Sequence, residues 1–295
     1  MFNEKDCLIP PSPGTTKELL KRRPMELARN LTNKNPSQYL PLIAFLALCV
    51  FAGLMPREWL HVFDFVGNAV CHRIPARSFF VDSTQLPMCA RDTGMFSGAL
   101  LGIVWFAFNL RERVGLYPSR RAVPFFLLAF VSWSFDGFNS YYLLATGQTL
   151  FYMPRNELRL VTGAFMGVTL SAYVVPLFNQ GVWKDATESH SVRDLKDFLP
   201  LVAVAIIVVL AVLWRPDFLH GPLALTSALG AGVLFVVVNS MLVLIALRKH
   251  ATVSNGSQLV TPLIIGTLFA VIEIAAANLL RNWLSTFLAS GFAAP

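Results

Sequence analysis

The sequence predicts an all-α fold: a polytopic membrane helical bundle of about seven transmembrane helices with a cytoplasmic N-terminus. Three observations predict it. Of the 295 residues, 55% are hydrophobic and only 14% are charged, whereas a soluble chain carries about 25% charged residues. Apolar runs recur near the roughly 20 residues that take a helix across a bilayer, while the strands of a transmembrane barrel are shorter and alternate in polarity. Basic residues gather in alternate connections, sixteen of the 24 Lys and Arg on one set, and such residues stay on the cytoplasmic side.

The elements follow in chain order. Residues 1–38 are polar, with prolines at 10, 11 and 13 and no apolar core, so no cleavable signal peptide is expected. They read as a basic cytoplasmic tail. Thr15 and Glu18 form a capping box for a short helix, TKELLKRRPMELARN. Lys17, Lys21, Arg22, Arg23 and Arg29 suit anionic lipid. No nucleic-acid recognition fold accompanies them, so nucleic acid is not an expected partner. Spans are predicted at 39–54, 93–110, 122–147, 160–178, 199–214, 223–247 and 261–280. The first and fifth are short and use Tyr39 and Trp214 at the interfaces. The division is a four-helix core at 39–180 with a loop at 55–92, a cytoplasmic linker at 181–198 and a three-helix accessory bundle at 199–295. The final RNWLSTFLASGFAAP either extends the last helix or lies along the membrane surface.

The charge pattern puts the 55–92 loop outside the cytoplasm. This stretch holds CHRIPARSFFVDSTQLPMCARDTG. Cys71, His72, Cys89 and Asp92 are candidate metal ligands, because thiolate, imidazole and carboxylate are the usual zinc donors. The C-x-x-D spacing of Cys89 and Asp92 turns both toward one centre. Outside the cytoplasm two cysteines also form disulfides. The residues therefore leave two readings open: zinc, or no cofactor and a Cys71–Cys89 disulfide. Cys7 and Cys49 fall in the tail and the membrane and do not compete for pairing.

CHRIPARSFF followed by PMCARDTG resembles the signature of a family of uncharacterised prokaryotic multipass membrane proteins, a domain of unknown function. The resemblance extends to Asp136-Gly137 and to Asn156-Glu157-Leu158-Arg159-Leu160-Val161-Thr162-Gly163, over roughly residues 60–180. It implies a prokaryotic plasma membrane and brings no biochemical activity. Where family members carry a further cysteine this chain has Asp92. A hard oxygen donor loosens a sulfur-rich site, so the exchange weakens the metal reading.

Thr-Gly-x-x-x-Gly occurs at Thr93–Gly98 and again at Thr162–Gly167. Glycines four apart share a helix face and let another backbone approach closely. Two similar helical hairpins packed through these faces are expected. Gly137 and Gly163 are the only hints of broken helices of the transporter kind.

Charge also enters the spans. Asp136 lies in the third and Glu273 in the seventh, and an ionisable group there normally faces protein or water. They are the candidate catalytic bases. Arg77, Arg91, Asn156 and Arg159 are candidate ligand-binding residues near the same depth, since guanidinium grips phosphate and carboxylate bidentately. An Asp136–Arg159 ion pair is the plain structural expectation. Ser78 has no histidine-and-acid arrangement marking it as a nucleophile. His61, His190, His220 and His250 fall in connections or near span ends and are expected at the surface.

Three functions compete. One is a protein whose metal- or disulfide-stapled site binds an amphiphilic anionic ligand, a quinone-like molecule or a partner subunit. Another is a zinc-dependent outer-leaflet enzyme, a hydrolase or transferase acting on a lipid-like substrate. The third is a proton-coupled transporter of small solutes using Asp136 and Glu273.

Overall fold

Every predicted span is met by a helix. The computed structural model describes residues 40–109 and 113–291. Its helices are α1 (Leu40–Leu54), α2 (His61–Val70), α3 (Ala90–Asn109), α4 (Val123–Thr146), α5 (Asn156–Val182), α6 (Leu195–Trp214), α7 (His220–Ala246) and α8 (Gly256–Gly291). Asn156–Val182, Leu195–Trp214, Asp217–Ala246 and Gly256–Phe287 are long and apolar enough to cross a membrane, and Leu42–Leu54 is a shorter apolar helix. α3 and α4 have 20 and 24 residues, enough for about 30 Å at 1.5 Å per residue. They are less apolar because they carry polar groups inward: Thr93 and Ser97 on α3, Asp136, Asn139 and Ser140 on α4, all buried. Outward, α4, α6 and α8 present rows such as Leu127, Leu128 and Val131, or Ile206, Ile207 and Leu210. The N-terminal capping-box helix lies outside the described residues.

The 55–92 stretch is more ordered than a loop. It contains α2 and a two-stranded antiparallel hairpin, β1 (Ser78–Val81) with β2 (Thr84–Cys89). Asp82 and Ser83 form its tip with φ of 43° and 63°, the left-handed pair that a two-residue hairpin turn requires. The 181–198 stretch likewise holds β4 (Thr187–His190), which pairs in parallel with β3 (Val114–Leu116) at the opposite end of the bundle. There Arg113 pairs with Asp185 and stacks 3.7 Å over Trp183. The final segment extends the last helix: α8 is 36 residues long.

The centre of the bundle is the contact between α3 and α5, which run parallel. A Cβ on Gly94 would lie 2.4 Å from the Leu160 carbonyl oxygen, and one on Gly163 would lie 2.1 Å from that of Arg91. One turn on, Gly98 meets Ala164 and Gly167 meets Met95. The contacts are reciprocal, as across a two-fold axis: each glycine touches the counterpart of the residue that its own counterpart touches. The Thr-Gly-x-x-x-Gly repeat thus does the close packing expected of it. Around this pair, α6 packs on α5 and α3, α7 on α3, and α4 on α5; α8 packs on α7 and α2. α4 and α5 run unbroken through Gly137 and Gly163, so the hint of broken helices is not met.

Candidate metal centre and arginine cluster

The start of α3, the end of β2 and the end of α2 meet at one end of the bundle. Cys71 terminates α2, its N–H donating to the Gly67 carbonyl at 2.9 Å. Arg73 follows at φ 47°, a strained value for a non-glycine. It is held by bonds from its guanidinium to Asn68 Oδ1 at 3.0 Å and Asp64 Oδ1 at 2.9 Å. This turn folds Cys71 back onto the hairpin, where the Cys89 N–H donates to Cys71 Sγ at 3.1 Å. One ligand atom each of Cys71, His72 and Cys89 lies within 4.8 Å of the others. The two cysteines are buried and His72 is exposed. Cys89 Sγ lies 3.3 Å from Asp92 Oδ2, so the C-x-x-D pair does face one point.

Cys71 and Cys89 are free cysteines, as is Cys49, and no disulfide joins them. That removes the disulfide alternative from the described structure. Their electrostatics are coupled. The Cys89 thiol, followed by the His72 and Asp92 side chains and the Arg73 N–H, pulls the Cys71 thiol down to about 3, against the opposing effect of burial. Cys71 in turn, together with burial and Asp92, pushes Cys89 up. The two shifts oppose each other: a thiolate on Cys71 disfavours a second one on Cys89 unless a positive charge joins them. A metal ion bound by these residues would supply that charge and favour both thiolates. The donor set fits a soft divalent ion of the zinc class: two sulfurs, an imidazole and a carboxylate within reach. The His72 ring accepts the Ile74 N–H on Nδ1 at 3.3 Å; ligation would use Nε2, or Nδ1 in place of that bond.

Apolar side chains pack against the two cysteines: Met88, Ala231, Val66, Val70 and Phe96. The turn after α2 is clamped by a residue that the sequence marks only as a charge. Arg281 of α8 donates to the carbonyls of Asn68 at 2.8 Å, Cys71 at 2.5 Å and His72 at 3.0 Å. Its isolation as the lone basic residue of the C-terminal segment was the available signal. Ser78 is structural, donating to the Ile74 carbonyl at 3.0 Å and accepting from Gln85 at 2.9 Å.

Beside the sulfurs is a cluster of guanidinium groups. Arg91, in the first turn of α3, pairs with the fully buried Asp136 of α4. The expected Asp136–Arg159 pair is therefore not formed. Arg91 reaches across Gly137, where a Cβ would stand 3.4 Å from its Nη1, so glycine there leaves the arginine room. Arg159 turns instead to Ser140 Oγ at 3.3 Å and Asn156 Oδ1 at 2.8 Å. Arg91 donates to the same hydroxyl at 3.2 Å, and Arg77 to the Ser140 carbonyl at 3.1 Å. Asn156 also donates to the Ala76 carbonyl at 3.2 Å, tying α5 to the turn before β1. Tyr152, not singled out in the sequence, donates to Asp136 Oδ1 at 2.7 Å. Asn139 holds that segment through the Tyr152 carbonyl at 2.9 Å and the Phe151 N–H at 3.1 Å.

Arg77, Arg91, Asp136, Asn156 and Arg159 are thus brought together, next to Cys71, His72, Cys89 and Asp92. Glu273 is not. It is exposed on α8, about two turns from Arg281, and accepts from Asn239 of α7 at 2.8 Å. Of the histidines expected at the surface, His220 opens α7 buried instead.

Residues 71–173 match the family described as "Predicted membrane protein (DUF2085)". An uncharacterised protein of Methanocaldococcus jannaschii is 26% identical over 140 residues, covering 48% of this chain and 75% of that protein. No solved structure matches. These likenesses bear out the resemblance to an uncharacterised family of membrane proteins. The matched stretch starts at Cys71 and includes Cys71, His72, Cys89 and Asp92 and the cluster of Arg77, Arg91, Asp136, Tyr152, Asn156 and Arg159, while Arg281 lies outside it.

Proposed function

Taking the match of residues 71–173 to a family of predicted membrane proteins as premise, we propose that this integral membrane protein holds one divalent metal ion of the zinc class. The ligands in this reading are Cys71, His72 and Cys89, with Asp92 as the fourth. The centre faces away from the cytoplasm of a prokaryotic cell and staples the end of α2 to the start of α3. By fixing α3 it also fixes Arg91, and so the polar chamber in which an anionic amphiphilic ligand is bound. The observation that carries the reading is the convergence of three soft donors within 4.8 Å where the two sulfurs are buried and unbonded to each other.

Elemental analysis with thiol counting on the purified protein tests it. The expected result is about one zinc per chain, lost in Cys71→Ser and in Cys89→Ser. All four cysteines should react with a thiol reagent in denaturant plus chelator and without reductant. Metal-free protein in which two thiols appear only after reduction would overturn the proposal.

One observation favours a second reading. His72 is exposed while both sulfurs are buried, so the centre can be reached from outside. If three protein ligands hold the metal and Asp92 stays on Cys89, the fourth position is open, as hydrolytic zinc sites require. Full metal retention in Asp92→Ala would support this enzyme reading, with Asp136 too firmly paired to act as a base.

A further inference from the structure

We infer that Arg77, Arg91 and Arg159 form a binding site for a phosphate-monoester group, presented at the membrane rim. This deepens the proposed function by naming the ligand chemistry, and it rests on the arginine geometry rather than on the metal.

The three guanidinium groups come from three elements: the turn before β1, the first turn of α3 and the first turn of α5. All three converge on Ser140, two on its hydroxyl and one on its carbonyl. Among the described residues, only one carboxylate, Asp136, bonds to the trio, and its other oxygen is taken by Tyr152. The remaining acceptors, Ser140 and Asn156, are neutral. By direct contact, the trio's three cations meet one anion. Each guanidinium has five N–H donors, most of which find no acceptor in these bonds, and the buried Nε of Arg91 has no partner. Packing like charges beside a bilayer is unfavourable unless a counter-anion joins them.

The surplus of two charges selects among anions. A carboxylate offers one charge and two oxygens. A phosphate monoester carries about −1.5 to −2 near pH 7 and three acceptor oxygens, one for each arginine. The N-terminus of α5 lies beside Arg159 and favours the same charge. Access is graded: Arg159 is 6% exposed and Arg91 has 19% of its side chain exposed. Exposed Tyr141, Phe151 and Met153 lie close by. A ligand with an apolar tail could lie along them, whereas a free phosphate would not need them.

The test uses the full chain, delipidated in neutral detergent, with native mass spectrometry against phosphatidic acid, phosphatidylcholine and inorganic phosphate. Phosphatidic acid should bind one per chain and phosphatidylcholine should not. Arg77→Gln removes a single bond to a backbone carbonyl and leaves the Arg91–Asp136 pair in place. It should weaken phosphatidic acid binding by about tenfold. Arg113→Gln, at the other end of the bundle, should leave it unchanged. Displacement by millimolar inorganic phosphate would identify the bare phosphate group as sufficient. Binding that resists such displacement would identify the lipid as the source. Equal retention of both lipids, or phosphatidic acid binding unaltered in both Arg77→Gln and Arg159→Lys, would overturn the inference and leave the arginines as helix ties.

Discussion

Replacing Gly163 by alanine adds one methyl group at the place where α3 and α5 touch backbone to backbone. The new Cβ would stand 2.1 Å from the Arg91 carbonyl oxygen and 3.0 Å from its carbon. Carbon and oxygen in close contact rest at roughly 3.3–3.6 Å. The two helices must therefore separate by about 1 Å, because neither obstacle is a side chain that can swing away. Overpacking costs about 1–3 kcal/mol, and an immovable backbone places this case near the top. Alanine recovers about 1 kcal/mol of helix propensity over glycine, for a net loss of about 2 kcal/mol. Gly232→Ala is the matched control: nothing lies within 4 Å of its added Cβ, so only the gain remains. The two variants should differ by about 3 kcal/mol in equilibrium unfolding of the full chain, titrated with SDS in mixed micelles. If Gly163→Ala unfolds at the same SDS fraction as Gly232→Ala, the α3–α5 contact is looser than described and the reciprocal glycine packing is not what holds the bundle.

Three further outcomes follow from single residues. Arg91→Ala strands the buried Asp136 carboxylate and should cost about 3–5 kcal/mol; Asp136→Asn in the same chain should restore part of it in the same SDS titration. Arg281→Ala releases three carbonyls from charged hydrogen bonds, worth about 1.5–3 kcal/mol for a bond of that kind; hydrogen exchange should rise at residues 71–74 and stay unchanged in α3 and α5. Glu273→Ala removes only the bond to Asn239, so it should cost about 1 kcal/mol or less, with metal content and phosphatidic acid binding both intact. A loss of either would place Glu273 in the site after all.

The spans were legible because a bilayer imposes a length and an apolar composition that any helix crossing it must show. Even the two less apolar helices gave themselves away, since the polar residues of α3 precede a long apolar run and those of α4 sit between apolar runs. The C-x-x-D pair was legible because its geometry is local, fixed by the turn that opens α3. What remained hidden is what depends on contact across sequence. α2 and the hairpin were missed inside a connection expected to be a loop, because each is too short to cross a bilayer and is covered by the sequence-distant α7 and α8. Arg281 lies more than 200 residues from the carbonyls it holds, and nothing local marks it except its isolation.

The misassigned ion pair shows why convergence is easier to read than partnership. Arg91 and Arg159 each precede a Thr-Gly-x-x-x-Gly repeat, but not by the same number of residues. Counted from Thr93 and Thr162, the counterpart of Arg91 is Leu160, and that of Arg159 is Ala90. One helical position is about 100° of rotation at 3.6 residues per turn. The near-symmetric backbones therefore send the two guanidinium groups in different directions. The one from α3 crosses Gly137 to reach Asp136. The one from α5 goes to Ser140 and Asn156. That both arginines lie at one depth in the sequence identifies the cluster. Only the offset within the repeat decides which of them neutralises the buried acid, and so which keeps its charge available for a ligand. Arg159 and Arg77 are both tied to neutral partners, but Arg159 is buried and Arg77 only half-buried, and this predicts a sharper loss of anion binding in Arg159→Gln than in Arg77→Gln.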